Sequence, residues 1–388
     1  MIRAAADALV GSGRAPGARA RVCRYTLRPA VNAIAETPPL RSFPLPSSPD
    51  RWPTDVEAFL RALAGPAWIS QPGRHPGRHR VVATLLHGNE PSGARAILAW
   101  LRSGAVPAVD TSFFVASIAA ALEPPAFSHR VLFGHRDLNR CFLPPFEGAE
   151  AALAEDVLRR VRGVAPEALI DLHNTTGATP PYGVGPARDR QRLALTALFA
   201  DRYVHSNLKL GALIEAVQDT VPSVVIECGR ASDERADRVA HDGLVRFLTA
   251  ESLAPEALGS DRKRLDDLTV VAEPVRVCLQ PGRALRYGEL SAGERPDAET
   301  DLMIDLDIDR HNFETVAPGT PLGWLHPDRP WPFVATRADG AEVSRDLLRA
   351  DGGRIEARRA FIPIMMTTDP EIAVQDCIFY AADRAPGS

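Results

Sequence analysis

Lysine is almost missing from this chain of 388 residues: Lys209 and Lys263 are the only two, and arginine supplies the rest of its 45 basic side chains. That bias reads as coding preference, and it strips any single arginine of most of its value as a signal. Positive charge is not in excess either, since 49 acidic residues leave a net charge of -4. A chain with this balance cannot neutralise a phosphate backbone broadly, so nucleic acid is excluded as an expected partner. Long apolar runs are lacking too: Arg, Asp or Pro interrupts each one before the ~18 residues that a membrane span requires. A soluble protein with no membrane partner is expected. The five cysteines (Cys23, Cys141, Cys228, Cys278, Cys377) stand singly, never spaced as a metal-gripping or redox pair, which points to a reducing, cytoplasmic compartment. Residues 1–22 carry Arg3, Arg14, Arg19 and Arg21 without an apolar core. They do not read as a secretory signal, although an arginine-rich organellar transit segment fits the composition.

What is present is enough chain for two domains. Residues 1–50 form a Pro/Ala/Arg-rich extension, ending in Pro44-Leu45-Pro46-Ser47-Ser48-Pro49, that should run over the surface. From 51 to 260, short apolar runs alternate with amphipathic ones. Helices are expected over 53–63, 92–101, 149–161, 189–200 and 233–248, and strands over 81–86, 113–118, 168–172 and 224–226. This alternation predicts an α/β fold with a sheet flanked by helices. Residues 261–388 lose the helical period and break into short runs at 269–279, 301–308 and 360–366, which predicts a β-rich C-terminal domain.

The chemistry collects where strands end. The run 81–86 leads straight into His87-Gly88-Asn89-Glu90, and in open α/β sheets ligands gather beyond the carboxyl ends of strands. An imidazole and a carboxylate three residues apart across a turn can converge on one cation, and zinc accepts that pairing. A helix-capping turn with Glu90 near the dipole is the other open reading. A second strand ends in Asp171-Leu172-His173-Asn174-Thr175-Thr176. Period two sets Asp171 and His173 on one face, so the carboxylate can orient the imidazole toward a metal; two polar residues merely closing a strand is the alternative. A third apolar strand stops abruptly at Glu227, where a hydrophobic surrounding suits a raised pKa and proton shuttling, unless that glutamate simply faces solvent. Finally, Arg136-Asp137-Leu138-Asn139-Arg140 lies in a long loop with His129, Arg130 and His135, and arginine's planar fork suits a carboxylate.

These four clusters, in this order, resemble the succinylglutamate desuccinylase and aspartoacylase family, relatives of the zinc carboxypeptidases. The matching elements are His87 to Glu90, Asp137 to Arg140, Asp171 to Thr176 and Ile226 to Gly229; the likeness is clear over about 80–250 and looser through Asn312 to Gly319. The resemblance implies a zinc carboxypeptidase-like mixed sheet and one zinc per chain on His87, Glu90 and His173. Glu227 would serve as general base, Asn139 and Arg140 would hold the substrate carboxylate, and Asp171 and Asn174 would support the ligands from behind. It further implies an arginine that polarises the scissile carbonyl, for which Arg130 and Arg136 are the candidates, and a tyrosine from the C-terminal domain, for which Tyr287 and Tyr380 are. Where the family grips a second carboxylate with an arginine about ten residues before the catalytic glutamate, this chain has Val217, which points away from N-acetylaspartate and N-succinylglutamate.

The function expected on this basis is removal of an acyl group from an N-acyl amino acid or similar small amide. A carboxypeptidase acting on short peptides would use the same site, and a non-catalytic metal-binding or ligand-binding protein could share the fold. A homo-oligomer is compatible with the sequence. Three other features read as structural: the basic run Arg74 to Arg80 as a solvated turn, Asp305, Asp307 and Asp309 as one exposed strand face, and Met365-Met366 as core.

Overall fold

The computed structural model describes residues 37–337 and 339–385. The first 36 residues of the expected N-terminal extension, with Cys23 and the early arginines, lie outside the described residues. Eight strands precede the β-rich region: β1 (Arg41–Phe43), β2 (Ala67–Gln71), β3 (His75–Thr84), β4 (Val109–Val115), β5 (Ala168–Thr175), β6 (Tyr182–Gly185), β7 (Arg202–His205) and β8 (Ser223–Arg230). Nine follow: β9 (Thr269–Leu279), β10 (Leu285–Gly288), β11 (Leu302–Asp305), β12 (Pro321–Leu325), β13 (Phe333–Thr336), β14 (Leu348–Asp351), β15 (Arg354–Ala357), β16 (Ile362–Ile364) and β17 (Phe379–Arg384).

Twelve of these strands make one mixed sheet, ordered β1-β2-β4-β3-β5-β8-β6-β7-β9-β17-β16, with β13 also paired to β9. At its centre β4, β3, β5 and β8 run parallel. Parallel strands are covered on both faces, so they read as continuous apolar runs, and every residue of β5 is buried. The covering helices are α1 (Val56–Leu63), α2 (Ser92–Ser103), α3 (Ile118–Leu122), α4 (Ala149–Val164), α5 (Arg190–Ala197), α6 (Leu213–Val217) and α7 (Glu234–Thr249). One face of the sheet packs with α1, α2 and α7 into a core that includes Phe59, Ile97, Ile170, Ile226 and Phe247. The other carries α4 and α6 over Val81, Phe114, Leu169 and Val225. Asp55, Asp189 and Asp233 accept backbone N–H bonds at the starts of α1, α5 and α7, which fixes where each helix begins.

The β-rich part does more than form a separate layer. A five-stranded sheet, β10-β11-β12-β15-β14, stands apart, with its own core around Leu285, Ile304 and Ile355. Yet β9, β13, β16 and β17 extend the large sheet beyond β7. The aspartate series expected on one exposed strand face does not lie on a strand throughout. β11 ends at Asp305, which is buried, and 308–311 turns into a short helix that brings Asp309 to Arg230. Alternation alone could not reveal that turn. The basic run Arg74 to Arg80 opens β3 and pairs with Glu251 and Glu167. Met366 is fully buried, as expected of core, whereas Met365 is only partly so.

Candidate active site

Three neighbouring parallel strands deliver the polar residues to one edge of the sheet. After β3 the chain passes through Leu85, a buried leucine held at φ 57, and turns into His87 and Glu90 before α2. A leucine in the left-handed region is strained, and such strain persists where surrounding packing over-determines the backbone. The turn is tight. A Cβ on Gly88 would come within 2.6 Å of the backbone at Ala120, Ala121 and His129, and one on Gly93 within 2.1 Å of the Thr84 hydroxyl. Only glycine lets α2 sit so close to β3 and β5. From β5 come Asp171, His173 and Asn174; from β8 comes Glu227, in register with His173 on one side and with Tyr182 of β6 on the other.

The Glu90 carboxylate lies between two imidazoles. Its Oε1 is 2.8 Å from His87 Nδ1 and its Oε2 2.7 Å from His173 Nδ1. One ligand atom from each of the three residues lies within 4.8 Å of the others, and all three side chains are buried. On the far side, His173 Nε2 is 2.8 Å from Asp171 Oδ2, and His87 Nε2 is 3.2 Å from Asp137 Oδ1. Each ring therefore has a carboxylate behind it that can fix its orientation. Burial alone would raise Glu90, but His87 and His173 overcome it and hold the carboxyl well below its usual range. His173 shows the converse: burial works against its charge, while Asp171 and Glu90 push its pKa well above the ordinary value. Two imidazole nitrogens and one carboxylate oxygen, converging at the edge of a cleft, fit a metal ion bound with an open position.

Glu227 faces the same cleft. It does not point into bulk solvent; it is buried, and its Oε2 has no hydrogen-bond partner. Burial pushes its pKa up to about 8, with Glu90 and Asp171 adding to the rise and His173 and Arg130 opposing it. Cys228 turns to the opposite face of the strand, into the core. Asn174 ties the motifs together: its amide nitrogen donates to Ser92 Oγ and to the Gly229 carbonyl, and its oxygen accepts from Ser92 N.

The loop candidates separate. Arg130 lines the cleft, donating to Asp137 Oδ2 at 3.0 Å and approaching Glu90 Oε1 at 3.7 Å. Arg136 does not: it is exposed, donates to the Glu147 carbonyl, and borders a different cavity beside Thr37, His135 and Glu150. Asn139 and Arg140 both line the cleft. Asn139 accepts from Leu213 N through its oxygen, which fixes the orientation of its planar amide. Arg140 donates to the Asn139 carbonyl and forms no ion pair among the described residues. Of the two tyrosine candidates, Tyr380 lines the cleft, whereas Tyr287 is buried and donates to the Thr367 carbonyl. Val217, the last residue of α6, is buried in the core.

The cleft measures about 940 Å³ counted to its open mouth. Several of its residues carry no motif. Tyr182 is fully buried and its hydroxyl has no hydrogen-bond partner. Val184, Val204, Leu208, Ile214 and Ile364 complete an apolar wall. The strand β6 that supplies Tyr182 and Val184 is only four residues long and follows Pro180-Pro181, so periodicity had little to act on.

Residues 76–249 match the family model described as the succinylglutamate desuccinylase/aspartoacylase catalytic domain. No curated protein sequence matches the chain. Among solved structures, a succinylglutamate desuccinylase/aspartoacylase from Rhodobacter sphaeroides is 15% identical with a TM-score of 0.51, covering 83% of this chain and 88% of that one. A succinylglutamate desuccinylase from Vibrio parahaemolyticus is 13% identical with a TM-score of 0.53, covering 85% and 95%. A product-bound ectoine utilization protein from Ruegeria pomeroyi is 19% identical with a TM-score of 0.50, covering 81% and 87%. At these identities the structures establish a shared fold, and the likeness to the succinylglutamate desuccinylase/aspartoacylase family rests on the sequence match over residues 76–249, where the four ordered motifs lie.

Proposed function

We propose that the protein is a zinc-dependent amidohydrolase that removes an acyl group from a small N-acyl amino acid, with one zinc per chain on His87, Glu90 and His173. The observation that carries this reading is the pairing of that three-residue cluster with a buried, unpartnered carboxyl, Glu227 Oε2, in the same cleft. Zinc in such a site supplies a Lewis acid that polarises an amide carbonyl and lowers the pKa of bound water to about 7.

The chain's own residues do the rest. Glu227, whose pKa burial raises, can take up at Oε2 the proton that the attacking water gives up and deliver it to the departing amine nitrogen. Asp171 accepts from His173 Nε2 and so keeps Nδ1 turned to Glu90, while Asp137 plays the same part for His87. Arg130, braced by Asp137, offers its guanidinium to the oxygen on which negative charge develops. Arg140 and the Asn139 amide hold the substrate's carboxylate, and Met365 and Tyr380 bound the cleft from the C-terminal side, which favours small substrates.

Metal analysis of the purified protein, combined with release of free amine from N-acetyl, N-formyl and N-succinyl amino acids before and after chelation, tests this reading. About one zinc per chain and chelator-sensitive hydrolysis are expected. Hydrolysis that survives both chelation and Glu227→Gln would overturn it.

A further inference from the structure

We propose that the cleft selects N-acyl amino acids that carry a single carboxylate and an apolar side chain, and discriminates against dicarboxylates. This rests on the amidohydrolase reading of the same cleft.

The charge inventory comes first. Three arginines stand in or beside the cleft. Arg130 is neutralised by Asp137 and Glu90, and Arg276 is paired with Asp376. Arg140 alone has no ion pair among the described residues and is available to a ligand anion. The other two cleft carboxylates away from the metal cluster are committed: Glu215 accepts from the N–H groups of Leu210 and Gly211, and Asp376 holds Arg276. Glu215, which has no cationic partner among the described residues, adds negative charge to the wall, whereas Asp376 is balanced by Arg276. A substrate with one carboxylate finds one cation, and a second carboxylate finds none and meets like charge.

The wall supplies the other half of the argument. Val184, Val204, Leu208, Ile214, Val225 and Ile364, drawn from β6, β7, the segment leading into α6, α6 itself, β8 and β16, line the cleft together. Their surface gains by covering hydrocarbon. A carboxylate laid against it would lose water and receive no hydrogen bond in return. The only unpartnered buried polar atoms among the cleft's lining residues are Tyr182 Oη and Glu227 Oε2. Neither compensates a second carboxylate: Glu227 Oε2 is committed to the proton transfer at the scissile bond, and one phenol cannot replace a cation.

The experiment compares kcat/KM of the zinc-loaded protein for N-acetyl-leucine and N-acetyl-methionine with that for N-acetylaspartate and N-acetylglutamate. Calorimetric binding of the same four compounds to Glu227→Gln runs in parallel. A preference for the apolar pair on the order of 100-fold is expected in both. Leu208→Arg, at a half-buried position that tolerates charge, should cut that preference by about 10-fold by giving a second carboxylate a partner. Preference for the acidic pair, equal treatment of the two, or binding of none overturns the proposal. Chelator-sensitive hydrolysis confined to the acidic pair would do so while leaving the amidohydrolase reading intact. Selective binding of the apolar pair with no turnover by the unmodified protein would do the reverse, supporting the specificity and removing the hydrolase.

Discussion

The cleft has two halves that were built differently. The half made by the ends of β3, β5 and β8 is polar, and its residues come in short contiguous motifs. The half made by β6, β7, the segment before α6 and the C-terminal strands is largely apolar, and its residues are scattered from Tyr182 to Tyr380. Chemistry needs particular functional groups at fixed mutual distances, and adjacent parallel strands provide those from local sequence. A wall needs only hydrocarbon at the right place, and any distant segment can provide it. The two halves should therefore fail in different ways.

The largest effect is expected in the polar half. Under the proposed mechanism Glu227→Gln removes the group that carries the proton, and kcat should fall by about 10³-fold, with metal content unchanged by metal analysis. Next comes Asp171→Asn, which weakens the hydrogen bond behind His173; metal affinity, read by competition with a chromogenic chelator, should drop by about 10 to 100-fold. At the boundary between the halves, Arg140→Leu should raise KM by about 10-fold or more with little change in kcat, since a charge-assisted hydrogen bond to substrate is worth about 1.5–3 kcal/mol. A kcat loss equal to that of Glu227→Gln would instead move Arg140 into the reacting centre. In the apolar half, Ile364→Ala should lower kcat/KM for apolar substrates several-fold and leave metal affinity untouched. If metal binding fell as well, the separation between the halves would be wrong.

The smallest effect concerns neither half but the brace behind the loop that carries Asp137 to Arg140. Glu150 accepts from the Thr37 hydroxyl at 2.8 Å and lies 2.7 Å from His135 Nδ1. Burial would raise its pKa, but the Thr37 bond, its own backbone and His135 lower it. Glu150→Ala should cost about 1 kcal/mol. A carboxyl held below its ordinary value stabilises the fold above the unfolded value of about 4.3, and loses that contribution as pH falls toward the lowered folded value. The thermal melting curves of the two proteins should converge in acid.

The same division explains what could be read from the sequence. Asp171 and His173 were legible because a strand alternates with period two and both residues sit at its end. His87 and Glu90 were legible because a strand, a tight turn and a helix follow one another without a gap. The loop arginines were not separable from sequence: Arg130 and Arg136 both precede the same motif, and only the path of the loop sends one into the cleft and the other toward Glu147. Tyr182 was missed because β6 is too short to show a pattern. The C-terminal strands were read as β-structure, but their pairing with β7 is a long-range event that no local period encodes.

That pairing has a consequence for how the protein is made. A ribosome emits His87, Glu90, His173 and Glu227 well before β9, β16 and β17, whose strands close the large sheet and carry Pro274, Ile364 and Tyr380 to the cleft. During synthesis the polar half and the part of the wall drawn from β6, β7, α6 and β8 can assemble before the C-terminal strands are made. A nascent chain arrested after α7 would thus present the cleft with its polar end and most of its apolar wall in place, but open on the side that Pro274, Ile364 and Tyr380 cover in the complete fold.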